Sequence, residues 1–551
     1  MDDYFDLGTH TFPITTSSLS AQLWFDRGLN WVYGFNHREA VTCFERAVAE
    51  DPDCPMAYWG IALAAGPNYN KQWERFDERE LQVTFRRTFD EAQNALALRG
   101  RGSEKEQAII ETLRLRYPTQ TPVEDFQKLY DDYAEAMRTV YQQFSDDMDI
   151  VALFADALMC RTPWQLWDLQ TGVSNPKAST LEAQQVLERA LDTPEAQQHP
   201  GVTHMYIHLM EMSPRPEKAL KSADWLRGLV PDAGHLEHMP THIDVLCGDY
   251  QNVVASNHAA IVADRKYVEV HGCENYYTLY RVHNYHFKIY GAMFLGQYQV
   301  AMDTYEEMAS TIPEALLRWE SPPMADWLEA FFPIKWHVMI RFGRWQDIID
   351  EPIPEDRELY CVTVATAHYA KGVAYAATGQ TPEADEQYRL FQEAVGWVPE
   401  TRYLHNNRYL DILQIADAML CGELEYRKGH HEHAFDYLRR AIRMEDGLEY
   451  DEPWSWMQPT RHALGALLLE QDQVEEALQV YREDLGFDSS IPRAYWHPDN
   501  VWALHGYHEC LVRMGRRDEA EIIRQRLTLA EARAEFPVQA SCACRTSVVG
   551  V

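Results

Sequence analysis

Hydrophobic and polar residues follow a helical spacing along most of the chain. Over residues 21–65, apolar side chains recur every three or four positions in runs that turn residues separate, the pattern of helices that bury one face. Charged amphipathic helices with a weaker pattern continue over residues 71–160, and Pro, Gly and Ser interrupt residues 161–200. We therefore predict an all-α chain of paired helices. Its predicted segments are a lead-in (1–20), N-terminal helical repeats (21–160), an irregular connection (161–200), central repeats (201–312), C-terminal repeats (313–532) and a loose tail (533–551).

A turn of similar composition recurs in the second half of the chain. A Gly-x-aromatic triplet precedes a helix at Gly248-Asp249-Tyr250 and at Gly296-Gln297-Tyr298. Looser forms of this turn occur at Gly343, Gly379, Gly429, Gln471-Asp472 and Gly515. Three helices also carry a glycine twelve residues before the alanine of the following helix, namely Gly372 before Ala384, Gly422 before Ala434 and Gly465 before Ala477. Small residues at these positions let two helices approach closely, so the spacing predicts a series of helix hairpins.

The first hairpin carries the most complete motif. Large, small and turn-forming residues stand at Trp24, Gly28, Trp31, Ala40, Phe44, Ala47 and Pro52, and only Arg27 departs from the expected leucine. The chain thereby resembles the tetratricopeptide-repeat (TPR) family, and the resemblance covers most of its length. The resemblance implies a right-handed α-solenoid of helix-turn-helix repeats. It also implies a groove lined by the first helix of each repeat, where repeat positions 2, 5, 9 and 12 face a ligand.

Seven histidines fall on the predicted groove face of three successive repeats. We set the register without them, from the turn glycines and from Ala219, Val253 and Ala301 in the second helices. The histidines that this register assigns to the groove are His204, His208, His235, His238, His242, His283 and His286. Tyr290 follows at the next groove position, and Glu211 lies on the same face as His208. Such a concentration of imidazoles on one face predicts a metal site.

Imidazole ligands decide which metal we expect. Three imidazoles for each ion leave a coordination position for water, dioxygen or a substrate, so these histidines could hold two ions. Imidazole favours copper or zinc over magnesium, calcium and manganese, whereas a diiron site usually has more carboxylates. We therefore predict a dinuclear copper centre, with zinc or iron as alternatives. The corresponding function is an oxidase or oxygenase of a small organic substrate such as a phenol, with Tyr290 and Glu211 as catalytic residues.

Other interpretations of the same residues stay open. Zinc would indicate hydrolysis through an activated water molecule, and bound metal without oxygen chemistry would indicate storage or delivery. A histidine on a helix is more often a hydrogen-bonded core residue than a ligand. The main alternative function is a non-enzymatic TPR scaffold whose groove binds a peptide segment of a protein partner.

Composition and charge limit the partners. The 551 residues carry a net charge of −35, which argues against nucleic acid and anionic membrane surfaces as partners. Apolar runs stay shorter than the roughly 20 residues that span a membrane. The acidic beginning of the sequence lacks the pattern of a secretory signal. The ten cysteines are mostly scattered, which favours a reducing compartment. We therefore expect a cytoplasmic protein.

Overall fold

The computed structural model describes residues 4–546, and most of these residues are helical. Within the described residues, the strands are limited to one hairpin, in which β1 (Tyr403–Leu404) pairs antiparallel with β2 (Asn407–Arg408). The predicted all-α class is confirmed. Among the described residues, no helix is long and apolar enough to cross a membrane.

The described chain folds as two compact units. Unit 1 consists of the described residues up to Ile243 together with Ala259–Gly272, and unit 2 consists of Asp244–His258 together with the described residues from Cys273 onward. The first twelve helices belong to unit 1: α1 Leu19–Tyr33, α2 His37–Glu50, α3 Pro55–Ala65, α4 Glu78–Leu98, α5 Glu104–Arg116, α6 Phe126–Gln143, α7 Met148–Met159, α8 Thr180–Leu191, α9 Pro194–Gln197, α10 Pro200–Met210, α11 Leu220–Leu226 and α12 Gly234–His238. Two further helices contribute residues to both units: α13 Pro240–Cys247 and α14 Tyr250–His271.

The remaining helices belong to unit 2. They are α15 Thr278–Leu295, α16 Tyr298–Ser310, α17 Glu314–Leu317, α18 Ala325–Leu328, α19 Ile334–Arg341, α20 Trp345–Asp350, α21 Cys361–Ala377, α22 Thr381–Val395, α23 Tyr409–Arg427, α24 His431–Glu445, α25 Thr460–Glu470, α26 Val474–Asp484, α27 Val501–Arg513 and α28 Arg517–Glu531. Short 3₁₀ turns at Trp73–Arg75, Arg99–Arg101, Pro216–Ala219, Glu329–Phe331 and Arg493–Tyr495 complete the two units. In both units most helices pack against the next helix along the chain.

The small residues of the repeat motif lie where helices touch. A side chain at Gly28 of α1 would stand 2.7 Å from the ring of Phe44 on α2, and one at Gly60 of α3 would stand 2.5 Å from the same ring. Phe44 is fully buried between them. The motif therefore encodes three helices that share one aromatic side chain, as the resemblance to TPR repeats implies.

The recurring glycine turns end the first helices as predicted. Gly296, Gly379 and Gly429 have φ angles of 75°, 78° and 83°, a left-handed conformation that costs glycine little. The turn without a glycine, at Gln471-Asp472, has the same geometry, with φ of 58° at Asp472. The turn signal read from the sequence is thus a backbone requirement at the end of each first helix.

Two segments have more order than their composition suggests. Within residues 161–200, which we expected to be an irregular connection, α8 and α9 form after an irregular stretch that ends at Ser179. Residues 533–546 of the expected loose tail contain no helix or strand, but several of their side chains are buried in unit 2. Residues 547–551 and residues 1–3 lie outside the described residues.

Candidate functional site

Helix α10 carries the first pair of histidines. Pro200 begins this helix, and the His199 side chain caps it by accepting a hydrogen bond from the Val202 amide (3.2 Å). The i, i+4 spacing then places His204 and His208 on one buried face. The Nδ1 atom of His204 lies 2.7 Å from the carbonyl oxygen of Tyr33. Because a carbonyl can only accept, Nδ1 carries the proton and Nε2 keeps its lone pair.

Glu211 connects two further imidazoles. Its Oε1 lies 3.0 Å from Nδ1 of His208, and its Oε2 lies 2.6 Å from Nδ1 of His242 on α13. All three side chains are completely or almost completely buried. A carboxylate between two Nδ1–H donors directs both Nε2 lone pairs away from itself, and hydrogen bonds of this kind commonly orient histidines that bind metal. His238 approaches this group as well, with its Nε2 atom 2.7 Å from Nε2 of His242.

The clustered imidazoles are neutral at ordinary pH. Burial lowers the pKa of His204 to about 3 and holds the pKa values of His208, His235 and His242 well below the usual 6.5. One nitrogen from each of His204, His208 and His235 lies within 4.8 Å of the others. A metal ion needs such neutral ligands. The donor set and its spacing in unit 1 therefore suit an ion that prefers imidazole.

Aromatic rings cover this cluster in unit 1. Phe35, in the turn between α1 and α2, lies 4.6 Å from the ring centroid of His204 and 5.2 Å from that of His235. Tyr69 and Trp164 lie 5.0 and 5.8 Å from the ring of His208. A neighbouring cavity of about 30 Å³ beside His204 is large enough for water but too small for a phenol.

The structure divides the predicted site residues between the two units. His204, His208, Glu211, His235, His238 and His242 belong to unit 1, whereas His283, His286 and Tyr290 belong to unit 2. Tyr290 is buried, and its ring stacks 4.3 Å from Phe294 and 5.7 Å from Trp454. The contacts of Tyr290 are those of a core residue, and Glu211 is an acceptor for two imidazoles.

A residue that the sequence reading missed joins His283 and His286. His405 lies at the tip of the β1–β2 hairpin, and its Nε2 atom is 3.3 Å from Nδ1 of His286. One nitrogen from each of the three imidazoles lies within 4.8 Å of the others. His405 carries no helical spacing and stands more than 100 residues from its partners. No local pattern could therefore have predicted it.

Residues 537–546, called the tail segment below, contact the face of unit 2 that the first helices form. We call this face, made by α19, α21, α23, α25 and α27, the first-helix face. Arg341 of α19 donates to the carbonyl oxygen of Ser541 (2.8 Å), and the Ser541 hydroxyl donates to the carbonyl oxygen of His462 (2.8 Å). Arg427 of α23 donates to the carbonyl oxygen of Cys544.

Two further contacts hold the tail segment. Arg545 forms a paired contact with Glu509 of α27 (2.7 and 3.1 Å). The hydroxyl of Tyr481 lies 2.5 Å from that of Ser541. These contacts place the tail segment along the first helices, where the resemblance to TPR repeats implies a groove for a peptide.

Comparisons with known proteins bear on the fold. No family model and no curated protein sequence matches the chain. Among solved structures, the chain is similar to yeast Tom70 (11% identity, 93% of this chain and 95% of that chain, TM-score 0.28). It is also similar to the Cut9–Hcn1 hetero-tetramer of the APC/C (12% identity, 96% of each chain, TM-score 0.29) and to the TPR domain of P58(IPK) (14% identity, 76% and 99%, TM-score 0.17). Because these TM-scores are low, the repeat architecture rests on the helix hairpins described above.

The predicted function as a copper-dependent oxidase or oxygenase is wrong, and so is the predicted enzyme class. The similar structures named above include no oxidase. The physical reason lies in the packing, since Phe35, Tyr69 and Trp164 cover the histidines where a substrate would have to bind. The chain is therefore an all-α protein of TPR-type helix-turn-helix repeats.

Proposed function

We propose that the chain is a non-enzymatic scaffold that binds a segment of a protein partner on the first-helix face of unit 2. The observation that carries this proposal is the position of the tail segment, which already lies on that face as a peptide without helix or strand. A surface that holds one irregular peptide through backbone contacts can hold another.

The contacts indicate which peptides would fit. Arg341 and Arg427 reach backbone carbonyl oxygens, which every peptide has, so these two contacts give affinity without selecting a sequence. Selection comes from the other contacts. A partner peptide would have a hydroxyl residue at the place of Ser541 and, four positions later, a basic residue at the place of Arg545 beside Glu509. The acidic charge of the whole chain, −35, favours such basic partners.

Competition between a peptide and the tail segment tests this function. A labelled peptide of residues 537–546 is added to a variant that ends at Phe536 and to the full chain, and fluorescence anisotropy reports binding. We expect binding to the shortened variant and weaker binding to the full chain, whose own tail segment occupies the face. Each lost neutral hydrogen bond is worth about 1 kcal/mol, so a Ser541→Ala peptide should bind roughly fivefold more weakly.

A matched pair of protein variants locates the binding surface. In the shortened variant, Glu509→Gln removes the partner of Arg545 and should weaken binding at least tenfold, since charged hydrogen bonds contribute roughly 1.5–3 kcal/mol. Glu519→Gln is the control, because Glu519 lies on the second helix α28 and pairs with Arg516. If the shortened variant keeps its helical circular dichroism but does not bind the peptide, the scaffold proposal fails.

A specific observation favours a second function, the binding of one metal ion by His204, His208 and His235 in unit 1. Nε2 of His204 and Nε2 of His208 are buried without a hydrogen-bond partner in the described residues. Leaving a buried polar atom unpaired costs about 1–3 kcal/mol, and a metal ion would remove this cost. Copper and zinc suit three imidazoles best, and an ion there would stabilise unit 1 by linking α10 to α12.

Elemental analysis after equilibration with zinc or copper tests the metal function. His208→Ala should lose one equivalent of bound metal, whereas His433→Ala, which removes an exposed histidine of α24, should lose none. Protein that binds the same amount of metal in both variants would exclude His208 as a ligand. Circular dichroism of both variants shows whether the fold is kept.

A further inference from the structure

The β1–β2 hairpin of unit 2 holds His405 in an unusual backbone conformation. His405 has a φ angle of 50°, in the left-handed region that is uncommon outside glycine, although asparagine, aspartate and histidine adopt it more often than other residues. The neighbouring loop fixes this turn. Asp451 accepts hydrogen bonds from the Asn406 amide (2.9 Å) and from the Asn407 side chain (2.6 Å). Conformations of this kind persist where the surroundings hold them, and they are frequent at ligand sites.

Helix α15 brings two imidazoles to the same place. His283 and His286 stand three residues apart on this helix, so both point to one side of it. Their rings lie 4.9 and 5.5 Å from the ring of His405, measured between centroids. His286 is completely buried, whereas His283 and His405 are half-buried. The cluster therefore has one fully buried ligand and two partly exposed ones.

The distance between His286 and His405 matches the geometry of metal coordination. Their facing atoms, Nδ1 and Nε2, are 3.3 Å apart. In a tetrahedral site with metal–nitrogen bonds of about 2.0–2.1 Å, two ligand nitrogens are separated by about 3.3–3.4 Å. A hydrogen bond between two ring nitrogens is usually shorter, because N–H donors lie about 2.9–3.0 Å from their acceptors.

Met457 determines which nitrogen of His286 is free for a metal. Its Sδ atom lies 2.8 Å from Nε2 of His286. A thioether sulfur can accept a hydrogen bond but cannot donate one. Nε2 of His286 therefore carries the proton, and Nδ1 keeps its lone pair toward His405. This is again an outer partner that orients a histidine ligand. The low pKa values of His286 and His405, the latter about 4, both arise from burial and keep the rings neutral at pH 7.

We propose that His283, His286 and His405 form a metal site within unit 2 for an ion that prefers imidazole, zinc or copper, and that Met457 orients His286. The proposal does not depend on the scaffold function. Its three nitrogens would provide three corners of a tetrahedron and leave the fourth for a water molecule or another ligand. The ion would hold the β1–β2 hairpin against α15.

The test uses the full chain and two metals, Zn²⁺ in one arm and Cu⁺ under a reducing atmosphere in the other. His405→Asn is the main variant, because asparagine tolerates the left-handed conformation of this turn and removes the ligand. We expect His405→Asn to bind one equivalent less of the preferred metal than the unaltered chain. X-ray absorption should show three nitrogen ligands for the ion that the unaltered chain holds and His405→Asn lacks. The arm that loses its equivalent identifies the metal.

Two further variants separate this site from the other proposals. His208→Ala should leave the unit 2 ion in place, and a His208→Ala/His405→Asn double variant should lose both ions. Met457→Leu, of similar volume, should keep the ion with an affinity about tenfold lower. Equal metal content in the unaltered chain and in His405→Asn would overturn the site. Unchanged affinity in Met457→Leu would overturn the role of Met457.

Discussion

Replacement of Glu211 by glutamine should destabilise unit 1 more than its small chemical change suggests. Glu211 is completely buried and accepts hydrogen bonds from Nδ1 of both His208 and His242. The amide of glutamine has one accepting oxygen, so its NH₂ group would face one of the two Nδ1–H donors. One charge-assisted hydrogen bond, about 1.5–3 kcal/mol, is lost. A buried donor is also left without an acceptor, which brings the total to about 3–5 kcal/mol.

Glu188→Gln provides the control for this prediction. Glu188 lies in the same unit and accepts hydrogen bonds from Tyr206 and Lys218, but it is partly exposed. Exposed ion pairs contribute roughly 0–1 kcal/mol, so the control should change stability little. The assay is urea unfolding of metal-free protein, followed by circular dichroism. The nitrogen-15 chemical shifts of Nδ1 in His208 and His242, which report the hydrogen bonds of these atoms, should change in Glu211→Gln and stay unchanged in Glu188→Gln. Equal urea midpoints for the two variants would refute the reasoning.

Three other predictions follow from buried groups. Phe44→Ala should lower the free energy of unfolding by about 3–5 kcal/mol, because Gly28 and Gly60 cannot fill the space. The control Val83→Ala, at an exposed position, should change the free energy of unfolding little. Equal effects of the two variants in thermal melts would contradict this packing. Burial raises the pKa of Glu445 to about 8, so its contribution to stability is present below about pH 4.5 and is lost as the pH rises to about 8. Glu445→Gln should therefore raise the melting temperature at pH 8 more than at pH 5. An equal gain at both pH values would refute this. Burial lowers the pKa of His204 to about 3, so its contribution to stability is present above about pH 6.5 and is lost as the pH falls toward 3. In His204→Gln the melting temperature should therefore fall less steeply between pH 6.5 and pH 4. A slope equal to that of the unaltered chain would refute this prediction.

Much of the fold could be read from local patterns, and the candidate sites only in part. The predicted pairing of His204 with His208 follows from helical spacing and holds in the structure. The hydrogen bond from His204 to the carbonyl oxygen of Tyr33 spans 171 residues, and the contact of His286 with His405 spans 119. No pattern of residue spacing predicts contacts between residues so far apart in the sequence. The oxidase prediction failed for a related reason, since donor residues indicate which ions can bind but not whether a substrate has room.

The sequence by itself determined the helices, their turns and the small residues at helix contacts. Those features depend on neighbouring residues, because a left-handed turn needs a residue such as glycine and a close helix contact needs a small side chain. Only the tertiary structure decided which imidazoles share an acceptor in Glu211, which turn brings His405 to α15, and where the tail segment lies. These arrangements depend on the packing of distant helices. A side chain's chemistry is written in the sequence, but its partners are set by the fold.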